Sequence, residues 1–366
     1  MDKKNILIII PGLGFGGAEK FIVGLANSLS LMNFNISLVT LSNLNPIQNE
    51  LNLRTEFIAL PRNKKTDLKP IADLRNVIKK NNPDYVFCVG FFSFFIVALS
   101  SLFLKIKPAR IVSYHTTIPF NKKEYYLTKL YLKFLKSKDF VIAVSKNQAA
   151  FTSKLYNLPE NKIIAILNGI SVDHWILAPL AFNKKEFREK FGIKENEKVI
   201  IMTAGFRAEK NHLGAIRALH ILHKTYNTKA YLLLVGDGEL RGKIEKLVTD
   251  LGLQNFVKFA GLQKDVRQFY WASDLFTLCS ISETFSIAAL EAMASGLPSV
   301  LTDIGGANEM IIEGFNGLLV EPSSEAIANC WNQALKQNFE PKAISEFIHK
   351  EFDQKNMVNA YSEILI

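Results

Sequence analysis

Short runs of Val, Ile and Leu alternate with helical patterns along both halves of this chain, and this alternation restricts the fold more than any other feature. Parallel strands that helices cover on both faces read as continuous apolar runs. The pattern predicts strands in the first half at residues 5–10, 36–41, 55–59, 85–89, 110–114, 140–144 and 162–166. In the second half it predicts strands at 199–204, 230–235, 257–260, 275–278, 298–301 and 317–320. The predicted fold class is therefore α/β, with two doubly wound, Rossmann-like halves.

The length of 366 residues suits two domains of about 180 residues each, with a cleft available between them. The β periodicity is lost after Asp173, where Pro179 interrupts the chain before a Lys/Glu-rich helix. We therefore predict domains at 1–175 and 176–349. The segment 343–366 reads as one helix, and its end, about 350–366, is a candidate to pack back on the first domain.

The cysteines and the N-terminal residues both indicate the cellular compartment in which the protein is expected. The three cysteines are odd in number, widely spaced and set in apolar surroundings, which argues against a disulfide framework or a zinc site. The first apolar run ends at Pro11 and Gly12 and lacks the length and cleavage site of a secretory signal. The expectation is reduced cysteines and a cytoplasmic location.

Residues 86–104 carry no charge, which raises the question of a transmembrane helix. Gly90 and three serines interrupt this stretch. We favour a buried strand at 85–89, a turn and a packed helix at 93–104 over a membrane span.

The formal net charge of +10 is concentrated in one segment. Between Lys105 and Lys146 lie ten Lys and Arg residues, Lys107 among them, against only Glu124 and Asp139, which suggests an anionic partner. Residues 125–136 place apolar and aromatic residues at helical spacing with lysines between them. Two interpretations stay open, a helix on a membrane surface and a core-facing helix with a solvated lysine edge. Nucleic acid is not the expected partner, because the chain contains no recognition module for it.

The first predicted strand runs into a glycine-rich turn at residues 11–20, which opens a helix. Glycines let a backbone approach a phosphate or a sugar, and the helix N-terminus offers amide donors and the positive end of its dipole. The spacing departs from G-x-G-x-x-G, and no clear acidic residue closes the second strand. These departures count against NAD binding.

The segment 282–298 is more specific, because it places Glu283 and Glu291 with seven residues between them. If a helix begins near Phe285, Glu283 precedes its N-terminus and Glu291 lies about two turns away on the same side. One carboxylate can then bind sugar hydroxyls and the other a ribose, while the amides at 285–287 meet a diphosphate. The alternative is an ordinary amphipathic helix with a capping glutamate.

On these residues the sequence resembles the group 1 retaining glycosyltransferases of the GT-B fold, over nearly the whole chain. Glu283 and Glu291 match the E-x7-E motif of that family, and residues 16–19 look like its first-domain glycine loop. Segments 235–238, 259–261 and 168–173 also match family segments. The resemblance implies two domains that face each other across a cleft, with the acceptor side at 1–175 and nucleotide-sugar donor binding at 176–349.

The resemblance also implies roles for individual residues. The implied catalytic residues are Glu283, which contacts the donor sugar, His115, which points at the transferred sugar, and Lys210 and Arg207, which stabilise the leaving diphosphate. The implied donor-binding residues are Gly16, Gly17, Gly236, Gly261, Leu262, Phe285, Ser286, Ile287 and Glu291, with Glu291 on the ribose hydroxyls and Gly261 and Leu262 near the base. The basic segment described above, and not the resemblance, supplies the candidate acceptor or membrane side, which comprises Lys122, Lys123, Lys129 and Lys133. Arg207 departs from the commonest family register, and a surface Lys/Arg pair that caps a helix is the alternative for Arg207 and Lys210.

The chain contains no Asp-x-Asp sequence and no His/Cys/carboxylate cluster with metal-ligand spacing. We therefore expect no metal and no cofactor, with the diphosphate stabilised by Arg207, Lys210 and helix amides. A front-face retaining mechanism is what the resemblance implies.

The expected function is a metal-independent hexosyltransferase that uses a nucleotide-sugar, with a UDP-sugar favoured. Its expected acceptor is a lipid-linked or surface polysaccharide of the bacterial lipopolysaccharide or capsule type, reached peripherally at the cytoplasmic membrane face. Two alternatives are a non-hydrolysing nucleotide-sugar epimerase, which needs no acceptor, and a catalytically inactive GT-B scaffold or binding subunit. The presence of Glu283, Glu291, His115 and Lys210 argues against the scaffold.

Overall fold

The computed structural model describes residues 3–14, 16–62, 64, 67–102, 104–105, 108–115 and 121–365. The chain divides into two compact units, of which the first comprises Met1–Leu167 with Val358–Ile366 and the second comprises Asn168–Met357. Residues 168–175, which the sequence pattern places in the first domain, group with the second unit. His349 Nε2 lies 2.8 Å from the carbonyl oxygen of Trp175 and ties this segment there.

The first unit alternates strands and helices as the apolar runs predict. Its strands are β1 Lys4–Ile10, β2 Phe34–Thr40, β3 Thr55–Ala59, β4 Tyr85–Val89, β5 Ala109–Tyr114, β6 Phe140–Ala143 and β7 Ile163–Ala165. Its helices are α1 Gly17–Leu31, α2 Lys69–Asn81, α3 Gly90–Ser100, α4 Lys122–Leu132 and α5 Lys146–Tyr156, with short 3₁₀ helices at Gln48–Glu50 and Glu160–Lys162. Within the described residues these strands form one parallel sheet in the order β3-β2-β1-β4-β5-β6-β7.

The second unit repeats the pattern with a smaller sheet. Its strands are β8 Lys198–Thr203, β9 Ala230–Val235, β10 Val257–Gly261, β11 Leu275–Leu278, β12 Ser299–Thr302 and β13 Gly317–Val320. Its helices are α6 Lys184–Glu189, α7 His212–Thr225, α8 Arg241–Asp250, α9 Arg267–Trp271, α10 Ile287–Ala294, α11 Ala307–Met310, α12 Ser324–Ala334 and α13 Pro341–Glu351, with a 3₁₀ helix at Ala208–Lys210. The last helix, α14 Gln354–Leu365, begins in the second unit, and its residues from Val358 onward belong to the first. The strand order among the described residues is β10-β9-β8-β11-β12-β13, and all pairs are parallel.

The central strands of both sheets are buried on both faces, which explains their unbroken apolar runs. Residues Ile6 to Ile10 of β1 are all buried, as are Val199 to Met202 of β8. Every predicted strand is present, with its ends displaced by two residues at most. The prediction of two doubly wound α/β halves is confirmed.

A buried ion pair anchors the start of β5. Arg110 and Asp139 are 5% and 3% exposed, and Arg110 donates from its backbone N–H and from Nε to the Asp139 carboxylate, each at 3.1 Å. A buried charge is tolerated only with a partner of this kind. The pair fixes the strand whose opposite end carries His115.

The uncharged stretch forms β4 and α3, which are mostly buried, as predicted. The predicted turn between them is wrong, because α3 begins at Gly90, directly after the strand. Gly90 has a φ of +78°, a left-handed conformation that lets the chain change direction within one residue. No helix in the described ranges combines the length and the apolar character that a membrane span requires.

The single C-terminal helix predicted at 343–366 is also wrong, because the chain breaks between α13 and α14. The backbone N–H of Gln354 donates to the Ile170 carbonyl at 2.8 Å, and the N–H of Ile170 donates to the Phe352 carbonyl at 2.9 Å. These hydrogen bonds to Ile170 take the place of hydrogen bonds within a helix, so residues 352–353 are not helical. Further along, Tyr361 lies in the first unit, with its ring 5.9 Å from that of Phe21.

Candidate functional site

The second unit has a topological switch point between β8 and β11, where the strand order reverses direction. Ligands of open α/β sheets bind outside the carboxyl ends of the strands at such a point. The segments that leave β8 and β11 at this edge contain Lys210 and Glu283, respectively. The sheet topology therefore brings together two residues that lie far apart in sequence.

Lys210 and Glu283 form an ion pair at this crevice. The distance between Lys210 Nζ and Glu283 Oε2 is 2.5 Å, and the two side chains are only 15% and 19% exposed. The two loops are also joined through their backbones, because the N–H of Ile281 donates to the Glu209 carbonyl at 2.8 Å. A pair with so little exposure is weakly screened by solvent. A cation and a carboxylate are thus held together where a phosphorylated sugar could bind.

The loop that carries Glu283 is closed by Gly305, a residue that the sequence patterns did not single out. Gly305 has a φ of +58°, and a Cβ added there would lie 2.2 Å from the Glu283 carbonyl oxygen. The N–H of Gly306 donates to the Thr284 carbonyl at 2.8 Å. The signal available in the sequence was the pair Gly305 and Gly306, which follows the end of β12 by three residues at the same edge of the sheet.

Helix α10 begins at Ile287, two residues after the predicted start at Phe285. Ser286 is the N-cap, and its side chain accepts the N–H of Ala289 at 3.2 Å. The side chain of Phe285 is buried, with its ring 5.9 Å from that of Phe352. Phe285 can therefore offer a ligand only its backbone, which is the contribution that was predicted for it.

Glu291 lies on α10, half-buried, and its carboxylate is held by Tyr270. The Tyr270 hydroxyl donates to Glu291 Oε2 at 3.2 Å. Burial raises the pKa of Tyr270 well above its ordinary value, and the Glu291 carboxylate raises it further, so the phenol stays protonated. The sequence patterns missed Tyr270, whose signal was the aromatic run of residues 269–271, three residues before β11.

Arg207 lies in the same loop as Lys210 but has a different partner. Its Nε is 2.9 Å from Glu209 Oε1, and its side chain is 61% exposed. The predicted phosphate role of Arg207 therefore requires its side chain to leave Glu209. The structure brings Lys210, but not Arg207, into contact with Glu283.

Two further loops reach the same edge beside β8. Gly236 has a φ of +140°, and a Cβ added there would lie 2.1 Å from the Ala204 carbonyl oxygen. Its N–H donates to the carbonyl of Gly261 at 2.9 Å, which joins the loops after β9 and β10. Leu262, next to Gly261, is 80% exposed. An exposed apolar side chain at this edge is available to a planar base.

The first unit has its own switch point, between β1 and β4, and a cavity of about 530 Å³ opens at the carboxyl ends of these strands and β5. Its lining comprises Ile10, Pro11, Gly12, Ala18, Glu19, Val89, Gly90, Phe91, Phe92, Tyr114, His115, Asn121, Lys123, Glu124, Leu127, Thr128 and Tyr131. Carboxylates and an ammonium share this lining with aromatic rings. The cavity can bind an organic molecule with both apolar and hydroxyl groups.

His115 follows β5 at this cavity. Its Nε2 lies 2.8 Å from Ser113 Oγ, and its ring is 4.9 Å from that of Phe21. Burial lowers the pKa of His115 to about 4. His115 is therefore a neutral imidazole at neutral pH, able to exchange hydrogen bonds with hydroxyl groups without adding charge.

Gly16 and Gly17 stand at the start of α1, where Gly16 is the N-cap. A Cβ added at Gly16 would lie 2.4 Å from Glu19 Oε2, whereas the space around Gly17 is open. The Glu19 carboxylate thus occupies the positive end of the helix dipole. A diphosphate that approaches Gly16 meets this negative charge, so Glu19 must turn away for the predicted contact to form.

The basic helix α4 packs by one face and exposes apolar residues on another. Tyr125 stacks on Tyr156, and Tyr131 stacks on Phe95. The exposed fractions of Tyr126, Leu127 and Leu130 are 66%, 36% and 46%. Both interpretations of this segment thus have support. Lys122, Lys123, Lys129 and Lys133 lie on or next to α4, and Lys107, which was counted in the same basic segment, lies outside the described residues.

Two family models match successive parts of the chain. Residues 15–174 match the model described as Glycosyltransferase Family 4, and residues 183–351 match the model described as Glycosyl transferases group 1. The boundary between the two matches falls close to the division between the two units.

Relatives with curated names match over part of their length. The chain is 32% identical over 186 residues to an uncharacterized glycosyltransferase of Methanocaldococcus jannaschii, a match that covers 50% of this chain and 47% of the relative. It is 34% identical over 163 residues to the UDP-Gal:alpha-D-GlcNAc-diphosphoundecaprenol alpha-1,3-galactosyltransferase of Escherichia coli, covering 44% of this chain and 41% of the relative. The matched regions span less than half the length of these two relatives.

The structure of the Anabaena protein HepE in complex with UDP-glucose superposes with a TM-score of 0.83, over 99% of both chains and at 21% identity. At this level of identity the likeness shows a common fold, and that fold is GT-B.

Neutral His212 supports the loop that carries Lys210, and this predicts a pH dependence. His212 is 1% exposed, its ring is 4.7 Å from that of Phe206, and neither ring nitrogen has a hydrogen-bond partner among the described residues. Burial, and secondarily the Lys210 charge, lowers the pKa of His212 from 6.5 to about 4. Between these pH values the unfolded chain binds a proton that the folded chain does not. The stability due to neutral His212 is therefore complete above pH 6.5 and is lost as the pH falls towards 4.

We expect His212→Phe, which keeps an aromatic ring against Phe206 and cannot titrate, to reduce this dependence. Urea unfolding at several pH values between 7 and 4 measures it. The free energy of unfolding of the native protein should fall more than that of the variant, by an amount approaching about 3 kcal/mol. Parallel curves for the two proteins would contradict the assignment.

Proposed function

This chain belongs to the group 1 glycosyltransferases, and we propose that it transfers a hexose from a nucleoside diphosphate sugar, with a UDP-sugar favoured, to a lipid-linked or polysaccharide acceptor. The observation that carries the proposal is the Lys210–Glu283 pair at the switch point of the second unit, beside the N-terminus of α10. The names of the relatives support the donor and acceptor classes. The Escherichia coli relative is named for a UDP-galactose donor and a sugar linked to diphosphoundecaprenol.

We assign the donor to the second unit. In this proposal the Lys210 ammonium and the amides at residues 285–287 bind the diphosphate, and Arg207 joins them when it leaves Glu209. Glu283 accepts hydrogen bonds from the sugar hydroxyls, and Glu291 accepts them from the ribose. Gly261 and Leu262 bound the site of the base, and the absence of a side chain at Gly236 leaves the neighbouring backbone accessible.

The proposed reaction retains the configuration at the anomeric carbon. The bond from that carbon to the phosphate oxygen breaks, and UDP leaves with the bonding electrons, which Lys210 stabilises. The acceptor oxygen bonds to the same face of the carbon, and its proton passes to an oxygen of the departing diphosphate. Neutral His115 is proposed to hold a hydroxyl of the transferred sugar. Because Lys210 and the helix amides supply the positive charge, we propose that no metal ion is needed.

The first unit is proposed to bind the acceptor in its 530 Å³ cavity. The aromatic lining suits an apolar carrier or the face of a sugar ring, and the polar groups suit its hydroxyls. The exposed apolar residues and lysines of α4 are proposed to hold the protein on the anionic, cytoplasmic face of a membrane, where a lipid-linked acceptor is found.

A panel of UDP-, GDP-, ADP- and dTDP-sugars tests the donor through thermal unfolding. We expect a UDP-sugar to raise the unfolding midpoint, because a ligand at 100 times its dissociation constant adds about 2.7 kcal/mol to the free energy of unfolding. Glu291→Ala should lose this stabilisation. Stabilisation by a nucleotide-sugar with a different base would show that the uridine assignment is wrong. If none of the nucleotide-sugars stabilises the protein, the assignment of the donor site is refuted.

Replacement of Glu283 tests the catalytic assignment. Glu283→Gln should lower the rate of sugar transfer by about 10²- to 10³-fold, because it removes a charged hydrogen-bond acceptor and the partner of Lys210. The measurement is UDP release with an undecaprenyl-diphosphate-linked sugar as acceptor.

The control for this variant is Glu346→Gln, which removes an exposed carboxylate on α13. It should transfer at the native rate, and addition of EDTA to the native enzyme should also leave the rate unchanged. Native activity of Glu283→Gln would refute the role of Glu283, and loss of activity in EDTA would refute metal independence.

Vesicle binding tests the role of α4. Simultaneous replacement of Lys122, Lys123, Lys129 and Lys133 by Gln should weaken co-sedimentation with phosphatidylglycerol vesicles at low salt, by about 1 kcal/mol for each lysine. The matched control replaces four exposed lysines of the second unit, Lys185, Lys194, Lys224 and Lys243. Equal binding of the two variants would show that the basic stretch serves another purpose.

A further inference from the structure

Tyr270 offers a contact that none of the assigned roles explains. Its hydroxyl donates to Glu291 Oε2 at 3.2 Å and lies 3.5 Å from the carbonyl oxygen of Ala288, one turn earlier on α10. A glutamate on a helix otherwise samples several rotamers, and fixing one of them when a ligand binds costs conformational entropy. The phenol restricts the Glu291 carboxylate before any ligand arrives.

The ring of Tyr270 is itself fixed by packing. Tyr270 is 1% exposed and lies on the short helix α9. Its ring is 6.1 Å from that of Phe276 on β11 and 5.9 Å from that of Trp175. The packing of this buried ring therefore directs its hydroxyl, the only polar atom of the side chain, at Glu291.

We propose that Tyr270 is a positioning residue that orients the Glu291 carboxylate towards the ribose hydroxyls of the donor, and thereby contributes to the selection of ribonucleotides over deoxyribonucleotides. This inference rests on the proposed function, in which Glu291 binds the ribose. An acceptor that is oriented in advance gains affinity because less conformational freedom is lost on binding. A site built around a hydroxyl also rejects an analogue that lacks it, since its polar group then stays unpaired.

The test compares the dissociation constants of UDP and 2′,3′-dideoxy-UDP for the full-length protein, by calorimetry. Tyr270→Phe removes only the hydroxyl and keeps the ring in its packing. We expect this variant to bind UDP about 10-fold more weakly, the effect of losing a hydrogen bond to a charged group. Its affinity for 2′,3′-dideoxy-UDP should match that of the native protein, because the positioned carboxylate has no hydroxyl to bind.

Tyr231→Phe is the matched control. Tyr231 donates to Glu197 Oε1 at 3.1 Å, so the variant removes the same phenol–carboxylate bond elsewhere in the second unit. It should leave both dissociation constants unchanged. In the double variant Tyr270→Phe/Glu291→Ala, the loss should not exceed that of Glu291→Ala alone, because Tyr270 acts through Glu291.

The possible results separate the inference from its premise. If Tyr270→Phe weakens the binding of UDP and of 2′,3′-dideoxy-UDP equally, Tyr270 has a structural role and the inference is wrong. If Tyr270→Phe binds UDP like the native protein while Glu291→Ala does not, the inference is wrong and the ribose role of Glu291 stands. If Glu291→Ala still prefers UDP over 2′,3′-dideoxy-UDP to the same extent as the native protein, or if the native protein binds neither nucleotide, the ribose role of Glu291 fails and the inference fails with it.

Discussion

Both units depend on one constraint, that parallel strands buried on both faces must end together at one edge of the sheet. At the switch point of the second unit, β8 and β11 are neighbours, so the segments that leave them cannot diverge. The segments that follow adjacent strands also approach closely at this edge. A Cβ on Gly236, after β9, would lie 2.1 Å from the Ala204 carbonyl oxygen, after β8, and a Cβ on Gly305, after β12, would lie 2.2 Å from the Glu283 carbonyl oxygen, after β11. The position of the site follows from the packing of the sheet.

Glu283 and Glu291 each have a polar partner, and the two partners differ in kind. Glu283 faces an ammonium group, which neutralises it and which a diphosphate could share. Glu291 faces a buried phenol, which orients it without neutralising it. The capped N-terminus of α10 lies between them in sequence. This arrangement offers charge at the phosphate position and directed acceptors at both sugars of the proposed donor.

The first unit is organised differently, around an uncharged histidine and a mixed cavity. His115 stays neutral because it is buried, and Glu19 lies over the N-terminus of α1. A neutral ring and a carboxylate are suited to hydroxyl groups more than to phosphate. This contrast between the two units accords with a division into donor and acceptor sides, which remains part of the proposal.

The local pattern of the sequence was sufficient to predict the strands, because a strand that is buried on both faces consists of consecutive apolar residues. Strands β4 and β9, for example, have the bounds that were predicted for them. The resemblance also named Lys210, Glu283 and Glu291 as site residues, and the roles that it implies for them stay predictions. The start of α3 and the break before α14 were missed, since the first depends on a positive φ at Gly90 and the second on pairing with the distant Ile170. Tyr270 and Gly305 were missed because the aromatic run and the glycine pair that mark them in the sequence do not show which distant residues they contact. The sequence by itself determined the fold class and which residue types reach the site. Only the tertiary structure decided which of them meet, because contacts such as Lys210–Glu283 and Tyr270–Glu291 depend on the order of the strands and the packing of the core.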